Sequence, residues 1–424
     1  MSLNYASRLK LSIRPFENMF SVVSLLLFSQ GFYTIILGSS IGGEEGDIDS
    51  VFLRIVFLLI YAISLALLAF RSQRTLYFLK GNIWLTLLVV MAILSVSWST
   101  VPSITFRKTV SLIGTTLFAV YLASRYSFEE QIKIYGWTFG IAVVFSLIFG
   151  IAFPQYGISS LDAVNGAWRG IYSHKNGLGQ SMFVSFLTFY FLSLSNIRVK
   201  YKLLCQSLYV LSIILIILAQ SGTSLMSVVF IFTTSQVLKS LSLTSKKGIL
   251  AILIAIIIAS LLLFVFLINF ETLLTANNKD ITLTGRTPLW ATLWEFILQK
   301  PWLGYGYGSF FSGLSREANL VWKVHPWVPV HAHNGYIHLW LQLGIVGLGI
   351  LIYGYIKCLF SSLSKYLVSK NRKMLWVFLF LLYTVTFNIT EVSFLGSQGI
   401  IWIISLVAIY SMKTTDKKIE YAGS

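Results

Sequence analysis

The sequence predicts an all-α, polytopic membrane protein, and three observations carry that prediction. Of 424 residues, 56% are hydrophobic and only 11% are charged, too few charges to cover the surface of a water-soluble domain. Apolar runs recur at lengths near the ~20 residues that a helix needs to cross a bilayer. In lipid such runs fold as helices, which satisfy their own backbone hydrogen bonds. Lys and Arg are dense in every second connection and sparse in the others, the asymmetry that orients a membrane protein.

Twelve spans follow, near 19–38, 51–70, 82–98, 109–124, 135–153, 178–196, 203–219, 225–238, 249–269, 335–356, 374–390 and 399–411. With both termini cytoplasmic, the inner segments hold 22 of the 32 Lys and Arg and the outer loops hold nine, Arg54 lying inside the second span. The acidic "GGEEGDID" then lies outside, where its "DID" is a solvated acidic loop with no nucleotide sugar to serve. The net charge of +17 is thereby an orientation signal facing anionic lipid, with no call for nucleic acid. The first run follows Arg8, Lys10 and Arg14 as a signal peptide would, but it is long and more spans follow, so a retained helix is expected. Cys205 and Cys358 make neither a disulfide framework nor a metal site. Residues 1–424 read as a single membrane domain without internal repeats. Two outer connections are longer than a link requires: 154–177 and the large outer loop 270–334. Loops of that size are functional or disordered, and the second is rich in Trp, Tyr, Gly and Pro.

The titratable chemistry gathers in these loops. In "WRGIYSHKNGLGQ" (Trp168–Gln180), Arg169, His174 and Lys175 offer cations either to an anion or to lipid headgroups. In "TGRTPLWATLWEFILQKPWLGYGYG" (Thr284–Gly308), Thr287 and Pro288 suit a helix start. Trp290, Leu293, Trp294 and Ile297 then share one face, predicting a short amphipathic helix in the outer interface. Arg286 beside its N-terminus makes a phosphate site, or else a snorkelling anchor. Gly304, Gly306 and Gly308 lack the βαβ context of a dinucleotide fingerprint and read as turn residues. Trp302, Trp322 and Trp327 either stack on sugars or form an aromatic belt.

"VHAHNGYIHLWLQLGIVGLG" (Val330–Gly349) places His331 and His333 where a span begins. A histidine can take a proton from a hydroxyl at neutral pH. Asn334 and His338 share a helical face, and His338 is expected to be a hydrogen-bonded packing group. Gly344 and Gly347 would let another helix approach closely. Zinc is not expected, because His-x-His is short and carboxylates nearby are few.

In order along the chain, these motifs resemble the O-antigen ligase and polymerase superfamily. His333-Asn334, nine residues, then Gly344 and Gly347 match its His-Asn…Gly-x-x-Gly pattern. "RGIYSHKNGLG" looks like the signature of its polysaccharide-polymerase branch, "TGRTPLW" like its Gly-Arg-Thr segment and "SVSWSTVPS" (Ser95–Ser103) like its Trp-Ser-x-x-Pro segment. Gly222 in "SGTS" stands where many members carry a basic residue. The resemblance implies a metal-independent, inverting membrane glycosyltransferase without cofactor, on the outer (periplasmic) face of the bacterial cytoplasmic membrane. Its donor would be a glycan on undecaprenyl diphosphate. Its acceptor would be another lipid-linked glycan (polymerase, favoured by the His-Lys-Asn segment) or lipid A–core (ligase). His333 would be the base, and Arg169, Arg286, His174, Lys175, His331 and Asn334 would bind substrate. Membrane lipids, a flippase and a chain-length regulator are the expected partners. A transporter or lipid flippase is the rival reading, but it would place ionisable groups at mid-membrane, where this chain has almost none.

Overall fold

In the computed structural model, residues 2–37, 50–69, 75, 81–159, 166–195, 198–241, 245, 247–259, 286–325 and 327–412 are described. The acidic segment 42–49, the end of the ninth expected span and the first part of the large outer loop, with Thr284 and Gly285, lie outside them. The elements are helices: α1 (Ser2–Phe28), α2 (Val51–Ala69), α3 (Ile83–Leu94), α4 (Pro102–Arg125), α5 (Phe128–Ala152), α6 (Lys175–Ser193), α7 (Val199–Leu218), α8 (Gly222–Ser240), α9 (Lys247–Ala259), α10 (Arg286–Gln299), α11 (Arg316–Val324), α12 (Gly335–Ser369), α13 (Arg372–Phe387) and α14 (Ile400–Ser411). Four of these, α2, α5, α7 and α12, are long and apolar enough to cross a membrane. The tenth expected span is only the front of α12. Leu359, Leu363, Tyr366 and Leu367 remain buried at helical spacing behind it, so packing carries the helix past the apolar run.

The chain divides into two compact units, residues 1–48 with 126–229 and residues 49–125 with 230–424. In the first, Ser127 and Glu130 close a capping box that starts α5, satisfying two backbone donors. The α6 and α7 helices pack along each other, tied by Ser212 to Ser185 at 2.8 Å.

In the second unit, α13 and α14 are buried along almost their whole length, joined by Thr384 and Ser405 at 3.0 Å. Small residues allow the close crossings, as expected for helices packed without a hydrophobic drive from lipid. A Cβ on Gly114 would fall 2.2 Å from the Tyr61 ring, and one on Gly354 2.2 Å from the Trp84 ring.

The glycine expected to admit a neighbouring helix does something else. Gly344 interrupts α12 with φ 66° and ψ −175°, a conformation essentially restricted to glycine. The loop after α10 fills the gap. Tyr305 N–H donates to Leu341 O (2.8 Å), Gly306 N–H to Gln342 O (3.0 Å) and Ile345 N–H to Pro301 O (2.8 Å). The backbone groups freed by the break are therefore satisfied from outside the helix.

Candidate active site

The site is built at the front of α12. Asn334 is its N-cap: its side-chain oxygen accepts from Tyr336 N–H (2.9 Å) and Ile337 N–H (3.0 Å), and its amide donates to Ile389 O at 3.1 Å. The asparagine of the motif thus fastens the helix start to the connection between α13 and α14. That connection is organised by buried Asn388. Its oxygen accepts from Ser393 N–H and Phe394 N–H, its amide donates to Ser393, and its backbone oxygen accepts from Gly335 N–H.

His331 and His333 stand just before this cap with ring centroids 4.1 Å apart. His331 Nδ1 accepts from His333 N–H at 3.2 Å, and His333 has a left-handed backbone, φ 47°. Trp327 meets the His333 ring edge-on at 5.4 Å. His338, one turn inside α12, bonds Gln342 at 2.6 Å and stacks on Phe311.

Arg286 is the first residue of α10 and reaches the same connection. It donates to Thr390 O at 2.8 Å and to Glu391 Oε1 at 3.2 Å. Glu391 is the residue that sequence reasoning missed. One donor atom from each of His331, His333 and Glu391 lies within 4.8 Å of the others, so the carboxylate thought lacking beside the histidines is supplied from about sixty positions downstream. Its signal in the sequence is isolation: it is the one acid between Glu317 and Asp416. Three such donors can hold a metal ion. Against that, Glu391 already faces a guanidinium, which opposes a second cation at such range, and one lone pair of His331 already accepts a backbone N–H. The trio sets two imidazoles beside a carboxylate already paired with Arg286.

The loop after α10 backs the site. Helix α10 buries Leu289, Leu293, Phe296 and Ile297, while Trp294 is exposed, edge-on to Trp340 at 5.3 Å. Gly304, Gly306 and Gly308 all take positive φ, the turn role expected of them. "SVSWSTVPS" is where this loop docks: Trp98 Nε1 donates to Leu303 O (3.1 Å), Thr100 N–H to Tyr305 O (3.0 Å) and Ser95 accepts from Tyr307 N–H (3.0 Å). Burial, then the Glu317 charge, pushes the Tyr305 phenol up to about 12; it stays a neutral donor to Phe296 O at 2.9 Å. Exposed Trp302 lends its backbone to the α12 break, and Trp322 donates to Pro329 O at 2.9 Å.

The structure brings together His331, His333, Asn334 and Arg286. Arg169, His174 and Lys175 belong to the other unit. There Arg169 donates to Tyr156 O (2.9 Å) and Gln155 O (3.4 Å), and partial burial draws its pKa down from the usual guanidinium value. His174 caps α6, accepting from Asn176 N–H at 3.3 Å, and Lys175 is the first residue of that helix.

Residues 207–352, which include the histidine cluster and Arg286, match the O-antigen ligase family. That match supports the resemblance to the O-antigen ligase and polymerase superfamily. The chain is similar to the exopolysaccharide production protein ExoQ of Rhizobium meliloti, with 24% identity over 74% of this chain and 72% of the relative. It is also similar to a Rickettsia conorii protein named as a polysaccharide ligase, with 30% identity over 28% of this chain and 30% of that protein. The superfamily match begins inside α7 and ends inside α12, so Glu391 lies beyond it.

Proposed function

We propose that the protein is a polysaccharide polymerase that transfers a glycan from an undecaprenyl diphosphate donor to a sugar hydroxyl on the outer face of the cytoplasmic membrane. The observation that carries this reading is the Arg286–Glu391–histidine cluster at the mouth of the longest apolar helix. A cation suited to phosphate and a base suited to a hydroxyl share one small site. The relatives, named for exopolysaccharide production and polysaccharide ligation, support the substrate class. The Lys and Arg asymmetry of the sequence supports the sidedness.

In this mechanism the acceptor hydroxyl gives its proton to the His333 ring as its oxygen bonds to the anomeric carbon. The carbon–oxygen bond to the diphosphate breaks on the opposite face, inverting the centre, and its electron pair leaves on the diphosphate. His333 Nδ1 is sealed from solvent, which leaves Nε2 for the transfer. Arg286 spends two contacts on Thr390 and Glu391 and keeps other N–H groups of its fork for the diphosphate, whose charge grows in the transition state. A lipid diphosphate is already a good leaving group, so the step asks for no metal. Trp327 beside His333 offers the acceptor sugar an apolar wall.

The test is transfer from a defined lipid-diphosphate donor by purified variants. His333→Ala is expected to abolish transfer while binding donor. Arg286→Ala is expected to lose rate even at saturating donor, and Arg286→Lys to recover little, because an ammonium cannot make paired bonds. Near-normal turnover by His333→Ala removes it from the mechanism. In cells, deletion that leaves single repeats on lipid A–core supports the polymerase; polymer accumulating on undecaprenyl diphosphate supports a ligase instead.

A further inference from the structure

His333 is a non-glycine residue held at φ 47°, a region that L-residues enter reluctantly and only when surroundings require it. Its backbone is clamped on both sides. Downstream, the Asn334 side chain is fixed by Tyr336 N–H, Ile337 N–H and Ile389 O. Upstream, the His333 N–H is taken by the ring of His331 at 3.2 Å. A side-chain acceptor two residues before the N–H it binds is the geometry that asparagine and aspartate use in turns; here an imidazole Nδ1 does it. A nitrogen that accepts this bond carries no proton, and it faces its own backbone rather than the site.

We propose that His331 is the positioning residue for His333: its Nδ1 holds the His333 N–H, keeps the left-handed turn closed and so aims the His333 ring, while His331 itself takes no proton from substrate. This rests on His333 being the base. The two histidines then have different requirements. Position 333 needs an imidazole. Position 331 needs only an acceptor atom at the right reach, which asparagine also provides because its Oδ1 sits where Nδ1 does.

The experiment compares His331→Ala, His331→Asn, His331→Gln and His333→Ala in the full-length purified protein, reading kcat and donor KM. His331→Ala is expected to lose kcat by about tenfold or more with donor KM little changed, since a misplacement near 1 Å costs a catalytic group up to about a hundredfold. His331→Asn is expected to recover most of that loss, although it cannot act as a base. His331→Gln, whose acceptor lies one methylene too far, is expected to resemble the alanine variant, and it replaces that variant if alanine prevents folding. His331→Asn as inactive as His331→Gln overturns the proposal, because position 331 then needs the imidazole itself. Wild-type kcat in His331→Gln or His331→Ala also overturns it, because the turn then needs no clamp. Activity retained by His333→Ala removes the base that His331 is meant to position and overturns both readings; loss there, with asparagine failing at 331, sinks this one alone.

Discussion

Replacing Glu391 by glutamine tests the charge cluster most directly. The side chain keeps its shape and one acceptor oxygen but loses its charge. Glu391 is 7% exposed, so solvent screens it little. When His333 takes the acceptor proton it becomes an imidazolium, with the carboxylate within 4.8 Å. At an effective dielectric of about 20, unit charges at that separation attract by about 3 kcal/mol, or about a hundredfold in rate. Arg286 shares the same carboxylate at 3.2 Å and takes up part of its field, so kcat for Glu391→Gln is expected to fall by between about ten- and a hundredfold. Donor KM is not expected to rise, because the guanidinium released from its partner remains free to hold the diphosphate. The assay is single-turnover transfer from a defined donor at saturation. A wild-type kcat, or a defect confined to donor KM, refutes the argument that the carboxylate stabilises the protonated base.

Gly344→Ala is expected to be severe: its Cβ would sit 1.9 Å from the Trp302 carbonyl oxygen, at a φ and ψ that cost a non-glycine residue ~1–3 kcal/mol before any clash. Thermal unfolding in detergent checks it against Gly349→Ala, which meets nothing within 4 Å and is expected to be neutral or to gain up to ~1 kcal/mol; equal melting of the two refutes the break. Extended chelation is expected to leave transfer unchanged, measured with metal content in parallel, and loss restored by one divalent ion would return the His331–His333–Glu391 trio to the role of ligands. Asn319→Cys is expected to react from outside with a membrane-impermeant maleimide and Ser245→Cys is not, with the native Cys205 and Cys358 buried; the reverse pattern inverts the sidedness of the mechanism.

What was legible in the sequence was whatever a local pattern encodes. Helix α10 announced itself by spacing, and the glycines at 304, 306 and 308 by the absence of any other role. What was not legible depends on contacts distant in the chain. Leu289 and Phe296 join the buried side of α10 through contacts with Tyr305, Phe310 and Leu341, partners that no pattern within α10 reports. Gly344 and Gly347 sit at a spacing that usually means close helix packing; the loop that stitches the break at Gly344 comes from residues 301–306, and that pairing has no local signature. Glu391 meets the histidines only through the fold, and its one local mark is to be a lone acid among apolar residues.

Together these distant contacts explain why one polar cluster can persist at the edge of so apolar a chain. Asn388, Asn334 and His331 each spend side-chain atoms on holding backbone. Their bonds fix three segments against one another: the start of α12, the start of α10 through Arg286, and the connection between α13 and α14. On the proposed mechanism, the groups that act, the His333 ring and further donors of Arg286, then need no flexibility of their own. A site assembled so is pre-aimed, and its catalytic advantage lies in the orientation already fixed before substrate arrives. It follows that substitutions in the clamps are expected to act on kcat more than on donor affinity, whereas loss of the guanidinium acts on both. Measuring the two parameters across Asn334→Ala, Asn388→Ala and Arg286→Ala separates a fixed frame from a flexible one: uniform loss of donor affinity across all three would mean that the frame itself forms only when substrate binds.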